Sequence, residues 1–212
     1  MNKSNFDPGT SGSTERFGYE WNTYSKIIPE YEEQFLKWVA PLEKKSFKGK
    51  KIIDGGCGIG RNSFWSLKYG AKEVVAFDYD ARTIEVAKNN LASFHNAIVR
   101  WGSLYDIPEQ GVFDISFSIG VIHHLAKPRE AVAQLVKATK KGGKVLIWVY
   151  GYEGNEWIVR YINPIRKITS RLPLQIVHLL SYLFSIPLYT YIKLLKPKHP
   201  YLNQLGHFRF WH

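Results

Sequence analysis

Directly after a short apolar run, Asp54, Gly56, Gly58 and Gly60 alternate with Gly55, Cys57 and Ile59. Glycines at this spacing let the backbone turn through positive φ and approach a ligand with no Cβ in the way. A helix starting at Arg61 would add unpaired N–H groups for an anionic group. The pattern is acid-x-Gly-x-Gly-x-Gly. It is not the G-x-G-x-x-G of nicotinamide and flavin sites, because counting from Gly56 the last position is Arg61. A second apolar run ends at Asp78, eighteen residues beyond Gly60, where a carboxylate can accept both hydroxyls of a ribose. Further on, the apolar run Phe113–Ile119 leads to His123-His124. An imidazole there could act as a general base near neutral pH, and packing or capping of a loop is the plainer alternative. Cys57 fits the turn as a small side chain rather than as a nucleophile. No cluster of His, Asp and Glu has ligand spacing, so no metal is expected.

These residues need strands to carry them. Lys51–Asp54, Val74–Phe77, Ala97–Trp101, Phe113–Ile119 and Lys144–Tyr150 are short, apolar and β-rich, as parallel strands covered on both faces should be. Between them Arg61–Tyr69, Asp80–Leu91 and Lys127–Lys140 have helical periodicity, with Asp80 as an N-cap and Pro128 in a first turn. Lys140-Lys141-Gly142-Gly143 reads as a helix C-terminus, cations followed by glycines. Pro29–Leu42 reads as one more helix upstream. Strand and helix in alternation give an α/β, doubly wound, Rossmann-like sheet of only five parallel strands, with a helical C-terminal segment.

At the glycine turn the sequence resembles the class I S-adenosylmethionine-dependent methyltransferases, and the resemblance extends over about residues 15 to 150. Val74–Asp80 looks like the second family strand, Gly102–Pro108 like the adenine-contact segment, Phe113–His124 like the fourth strand and its exit, and Lys140–Ile147 like the turn into the fifth. The resemblance implies S-adenosyl-L-methionine as cofactor. It implies Asp54 at the methionine end, Gly56, Gly58 and Gly60 admitting the backbone, Asp78 on the ribose and Tyr79 beside the adenine. Ser103 and Leu104 would contact the adenine, with Ile119 at the strand exit. Many relatives carry an Asp where Ser103 stands, and a neutral hydroxyl holds an amino group more weakly. The aromatic-rich stretch Glu15–Tyr24 is similar to a lid, in which Arg16 would pair with the methionine carboxylate and Tyr24 would donate to it; ordinary packing on the sheet is the alternative. Family members usually finish with an antiparallel edge hairpin. After Tyr150 only His207–His212 could begin one, so the expectation is a fragment or a truncated member.

Composition sets the remaining bounds. The chain has 212 residues, 45% of them hydrophobic and 22% charged, which excludes a disordered chain and suits one substantial domain. A single cysteine excludes a disulfide framework. Met1–Ser13 is polar and has no apolar core of signal-peptide length, so a cytoplasmic protein is expected. The division read is a flexible tail over 1–14, a cofactor-binding domain with its lid over 15–150, and a basic, apolar helical segment over 151–212. That last segment holds eight Lys or Arg against Glu153 and Glu156, out of a net charge of +11.

Residues 172–192 carry no formal charge. Pro173 and Pro187 leave thirteen residues between them, about 20 Å of helix against a hydrocarbon core of about 30 Å, so a spanning helix is the poorer reading. Gln175, His178, Ser181 and Ser185 form a polar stripe on an otherwise apolar helix. Such a segment can cap an acceptor pocket or lie peripherally on an anionic membrane. The function expected is methyl transfer to a small-molecule acceptor, most simply at oxygen, with lipid- or sugar-linked acceptors included. Nucleic acid is the less favoured partner, because the fourth-strand exit Ser118-Ile119-Gly120-Val121 lacks the proline motif of flipped-base amino methylation. The other alternative is a non-catalytic protein that keeps the cofactor fold.

Overall fold

The computed structural model describes residues 25–151, 160–161, 163–169 and 171–195, which fall into two units, 1–150 and 151–212. In the first unit the strands are β1 (Lys51–Gly55), β2 (Glu73–Asp78), β3 (Ala97–Trp101), β4 (Phe113–Ile119) and β5 (Thr139–Trp148). The helices are α1 (Tyr31–Trp38), α2 (Arg61–Lys68), α3 (Ala81–Leu91) and α4 (Pro128–Ala138). The five strands pair in parallel in the order β3-β2-β1-β4-β5. The order reverses between β1 and β4, and it is there, at the carboxyl ends of the strands, that open α/β sheets bind ligands.

Alternation along each strand divides the core in two. Ile52, Val74, Ala76 and Phe117 point to one face, under Phe35 of α1, Trp65 of α2 and Leu91 of α3. Ile53, Val75 and Phe77 point to the other, against Ala131 and Leu135 of α4 and against Leu104. Strands apolar on both faces cannot sit at a surface, and each fully buried Phe or Leu contributes about 1.5–3 kcal/mol. Local chemistry starts the helices where the pattern asks. The Asp80 side chain accepts from the backbone N–H of Arg82 at 2.9 Å, and Pro128 occupies the first turn of α4.

Two boundaries differ from the reading of the sequence. The helix before β5 stops at Ala138, and Lys140–Gly143 lie inside β5, not in a helix end. Thr139 pairs with Phe113 and Lys144 with Ile115, so two steps along β4 match five along β5 and the extra residues bow out of the ladder. Gly142 supplies the positive φ of 79° that this requires. In the second unit α5 covers Asn163–Thr169 and α6 covers Leu174–Leu195. Pro187, which with Pro173 brackets thirteen residues, lies within this helix. A proline inside a helix removes one ladder bond, and α6 continues past it to Leu195. Although α6 is 22 residues long, no helix among the described residues is long and apolar enough to cross a membrane.

Candidate cofactor site

The carboxyl ends of β1 and β2 and the glycine turn between β1 and α2 make the site. The N–H groups of Gly56 and Cys57 both donate to the carbonyl of Phe77, at 2.9 and 3.0 Å, so the turn is pinned to the end of β2. Asp78 completes the link. Its Oδ2 accepts from the N–H of Gly58 at 2.8 Å and its Oδ1 from the N–H of Asp80 at 3.0 Å. Burial still raises its pKa. Gly56 has φ +79°, and a Cβ there would stand 2.5 Å from a methyl of Val121, so only glycine fits between turn and loop. Gly60 also has positive φ but faces α3, where a Cβ would meet Leu91 at 3.1 Å; its small size serves helix packing.

Asp54 is wholly buried at the end of β1. One oxygen accepts from the Ser63 hydroxyl at 2.7 Å, and the other, Oδ1, has no hydrogen-bond partner. Burial, reinforced by the charge of Asp78, pushes its pKa up to about 7, against the pull of the Ser63 bond. A buried carboxylate oxygen without a donor is costly in a folded core and marks a place prepared for one. The same burial raises the Cys57 thiol well above its usual range and keeps it protonated, as a packing residue should be.

Between the turn and the segment after β3 lies a narrow cleft of about 70 Å³, lined by Gly56, Phe77, Asp78, Tyr79, Gly102, Ser103, Leu104, Tyr105, Val121 and Leu125. Tyr79 stacks near Trp101 at 5.5 Å between ring centroids, and the Trp101 indole N–H donates to the Tyr79 carbonyl at 2.8 Å. Ser103 spends its hydroxyl on the N–H of Tyr105 at 3.2 Å and bridges to Asp106. Leu104 is buried against Gly55, and Ile119 is buried in the core at the end of β4. The turn, Asp78, Tyr79, Ser103 and Leu104 thus come together. Arg16 and Tyr24 lie outside the described residues.

His123 and His124 follow β4 on a single 3-10 turn, Ile122–His124, between the cleft-lining residues Val121 and Leu125. Both ring nitrogens of His123 are buried with no hydrogen-bond partner, and burial lowers its pKa. Its ring lies 3.9 Å from that of His124 and 5.0 Å, edge-on, from Tyr150. Tyr150 in turn meets Trp148 at 4.9 Å, and Trp148 meets Trp38 at 5.0 Å. This aromatic run over the exit of β5 escaped the sequence reading, as did Ser63 beneath Asp54 and Val121 over Gly56. Trp38, Trp148 and Tyr150 stand far apart in sequence, and no local spacing announces their contact.

Residues 53–147 match the family described as a methyltransferase domain. Among curated proteins the chain is 31% identical over 113 residues to the ribosomal protein L11 methyltransferase of Photobacterium profundum, covering 53% of this chain and 36% of that one. It is 28% identical over 127 residues to the tRNA U34 carboxymethyltransferase of Actinobacillus succinogenes, covering 58% and 38%. The chain therefore spans little more than a third of the length of these relatives. The fold is similar to that of the PH0226 protein from Pyrococcus horikoshii OT3, with TM-score 0.58 and 24% identity over 72% of each chain. A methyltransferase from Aquifex aeolicus is similar at TM-score 0.51 and 19% identity, over 61% of this chain and 71% of that one. Sheet order, the glycine turn and the match over residues 53–147 support a methyltransferase domain of the class I, S-adenosylmethionine-dependent type. Domains of this type use S-adenosylmethionine, and the unpartnered Asp54 oxygen suits the ammonium group of that cofactor.

Proposed function

We propose that the chain transfers a methyl group to an oxygen of a small-molecule acceptor held over the exits of β4 and β5, with His123 taking the acceptor's proton. The observation that carries this is the His123 ring, whose two nitrogens are buried without a partner while burial keeps the ring neutral. A neutral imidazole with a free lone pair is what a general base requires. The aromatic run from Trp38 to Tyr150 offers an apolar wall beside it.

On this reading Asp78 accepts the ribose hydroxyls, Gly56 and Gly58 admit the backbone to the cofactor, and Tyr79 and Leu104 flank the adenine. Ser103 offers its hydroxyl oxygen to the adenine amino group. Asp54 accepts from the cofactor's ammonium, directly or through water. Bound there, S-adenosylmethionine supplies an electrophilic methyl on a sulfonium. The protein's part is to align the acceptor oxygen with that methyl, exclude water and receive the proton on His123.

Asp54 gives the reading a pH signature. In the ligand-free protein its raised pKa means that its contribution to stability is full in acid and lost as pH rises through about 7. Ligand binding runs the other way, because the ammonium attracts only the ionised carboxylate. Cofactor affinity is expected to rise about twentyfold between about pH 5.5 and 7.5, below the ~7.7–8.0 at which an α-amino group titrates. Asp54→Asn should flatten that rise in calorimetric titrations; a slope unchanged in the variant removes Asp54 from the site.

A second reading, a nucleic-acid acceptor, is favoured by the tRNA U34 carboxymethyltransferase relatives and by the net charge of +11. Incubating the protein with methyl-labelled S-adenosylmethionine and fractionated cell extract separates the two. Label in small molecules supports the first reading. Label confined to RNA, DNA or protein overturns it.

A further inference from the structure

At the opposite end of the sheet from the cofactor cleft, the start of β5 and the segment before β1 enclose a cavity of about 320 Å³. Five lysines line it, Lys45, Lys50, Lys140, Lys141 and Lys144, against one carboxylate, Asp114. Leu42 and Ile115 also line it, so its wall has an apolar part. We propose that this cavity binds a phosphate-bearing ligand, one presenting clustered phosphate charges, at a site separate from methyl transfer.

Three observations support it. The first is that Asp114 cannot neutralise the cavity. One of its oxygens accepts from the backbone N–H of Lys51 at 2.8 Å and the other from the Lys140 ammonium at 3.0 Å, and these contacts hold its carboxyl below the usual range. Lys45 pairs with Glu43 at 2.8 Å, but both partners are largely exposed and such pairs exchange readily. Lys141 and Lys144 face no carboxylate among the described residues.

The second observation is that the backbone is shaped to place them. The residues that bow out of β5 are Lys140–Gly143, and the bow needs both glycines. A Cβ on Gly143 would stand 2.6 Å from the Thr139 side chain and 3.0 Å from the carbonyls of Asp114 and Lys140. Bulges of this kind re-aim side chains, and here the re-aimed residues are lysines at the cavity wall.

The third is concavity. Like charges in a recess with apolar walls reinforce one another's field more than on an open surface, and they attract a compact, multiply charged anion. Lysine ammoniums bind phosphate as point charges, and clustered phosphates offer several of them more negative charge than a single carboxylate does. The volume suits a single phosphorylated unit, free or as one segment of a nucleic-acid backbone.

The test is calorimetric titration of the full chain at low ionic strength, with inorganic tripolyphosphate in one arm and a short single-stranded RNA in the other. The same titrations are run on K141E/K144E and on the milder K141Q/K144Q, should the charge reversal impair folding. Tripolyphosphate should bind the wild type, and the double variant should bind it at least tenfold more weakly. Thermal midpoint and affinity for S-adenosylhomocysteine should stay unchanged, which keeps this result independent of the methyl-transfer reading. RNA that binds and is lost in the same variants names the nucleic-acid backbone as the source of the phosphate; RNA indifferent to them names a free phosphorylated ligand. Binding of neither probe, or tripolyphosphate binding that both variants retain, overturns the proposal.

Discussion

Replacing Asp78 by alanine is expected to lower the affinity for S-adenosylmethionine by a hundredfold or more. The carboxylate sits at the end of β2, and each of its oxygens already accepts one backbone N–H, from Gly58 and from Asp80. A carboxylate has about four acceptor sites, so both oxygens keep capacity for the ribose hydroxyls. Hydrogen bonds to a charged group contribute about 1.5–3 kcal/mol each, and two of them correspond to roughly a hundredfold to ten-thousandfold in affinity. The Gly58 bond adds a second route to loss, because it ties β2 to the glycine turn whose backbone must lie against the ligand. Asp78→Asn keeps the shape but gives up one acceptor and the charge, and should fall between alanine and the wild type. Calorimetry gives the affinities, and the thermal midpoint shows whether the fold survived. An Asp78→Ala protein that is folded and binds like the wild type contradicts the ribose assignment.

The second large effect is on rate. His123→Gln should reduce the methyl-transfer rate by ~10²–10⁴-fold, the usual contribution of a general base, with cofactor affinity unchanged. Its pH profile carries the same information. Burial lowers the pKa of His123, so the wild-type rate should climb through a value below 6.5 and stay level above it. The glutamine variant should lose that acid limb. A structural histidine would behave otherwise, since its removal would shift the thermal midpoint and leave rate and profile alone.

Most of what positions the site could be read before the fold was known, because the deciding signals are local. The acid-and-glycine alternation at Asp54–Gly60 and the acid closing the next apolar run are contiguous patterns, and the structure brings them together at the β1–β2 exits. The start of β5 was not legible. Lys140-Lys141-Gly142-Gly143 carries the composition of a helix end, and only pairing with β4 across the sheet draws it into a bulged strand. Pro187 is a helix-stop signal when read locally, yet α6 runs through it. The unpartnered oxygen of Asp54 and the unpartnered ring of His123 are properties of burial, which no spacing in the chain expresses.

On the proposed function, the turn from Asp54 to Gly60, with Asp78, holds S-adenosylmethionine. Titration of the protein with S-adenosylhomocysteine, followed by calorimetry, tests it without knowledge of the acceptor. Saturable binding of one ligand per chain is expected, strongly weakened by Asp78→Ala. No measurable binding to the folded wild type would contradict it.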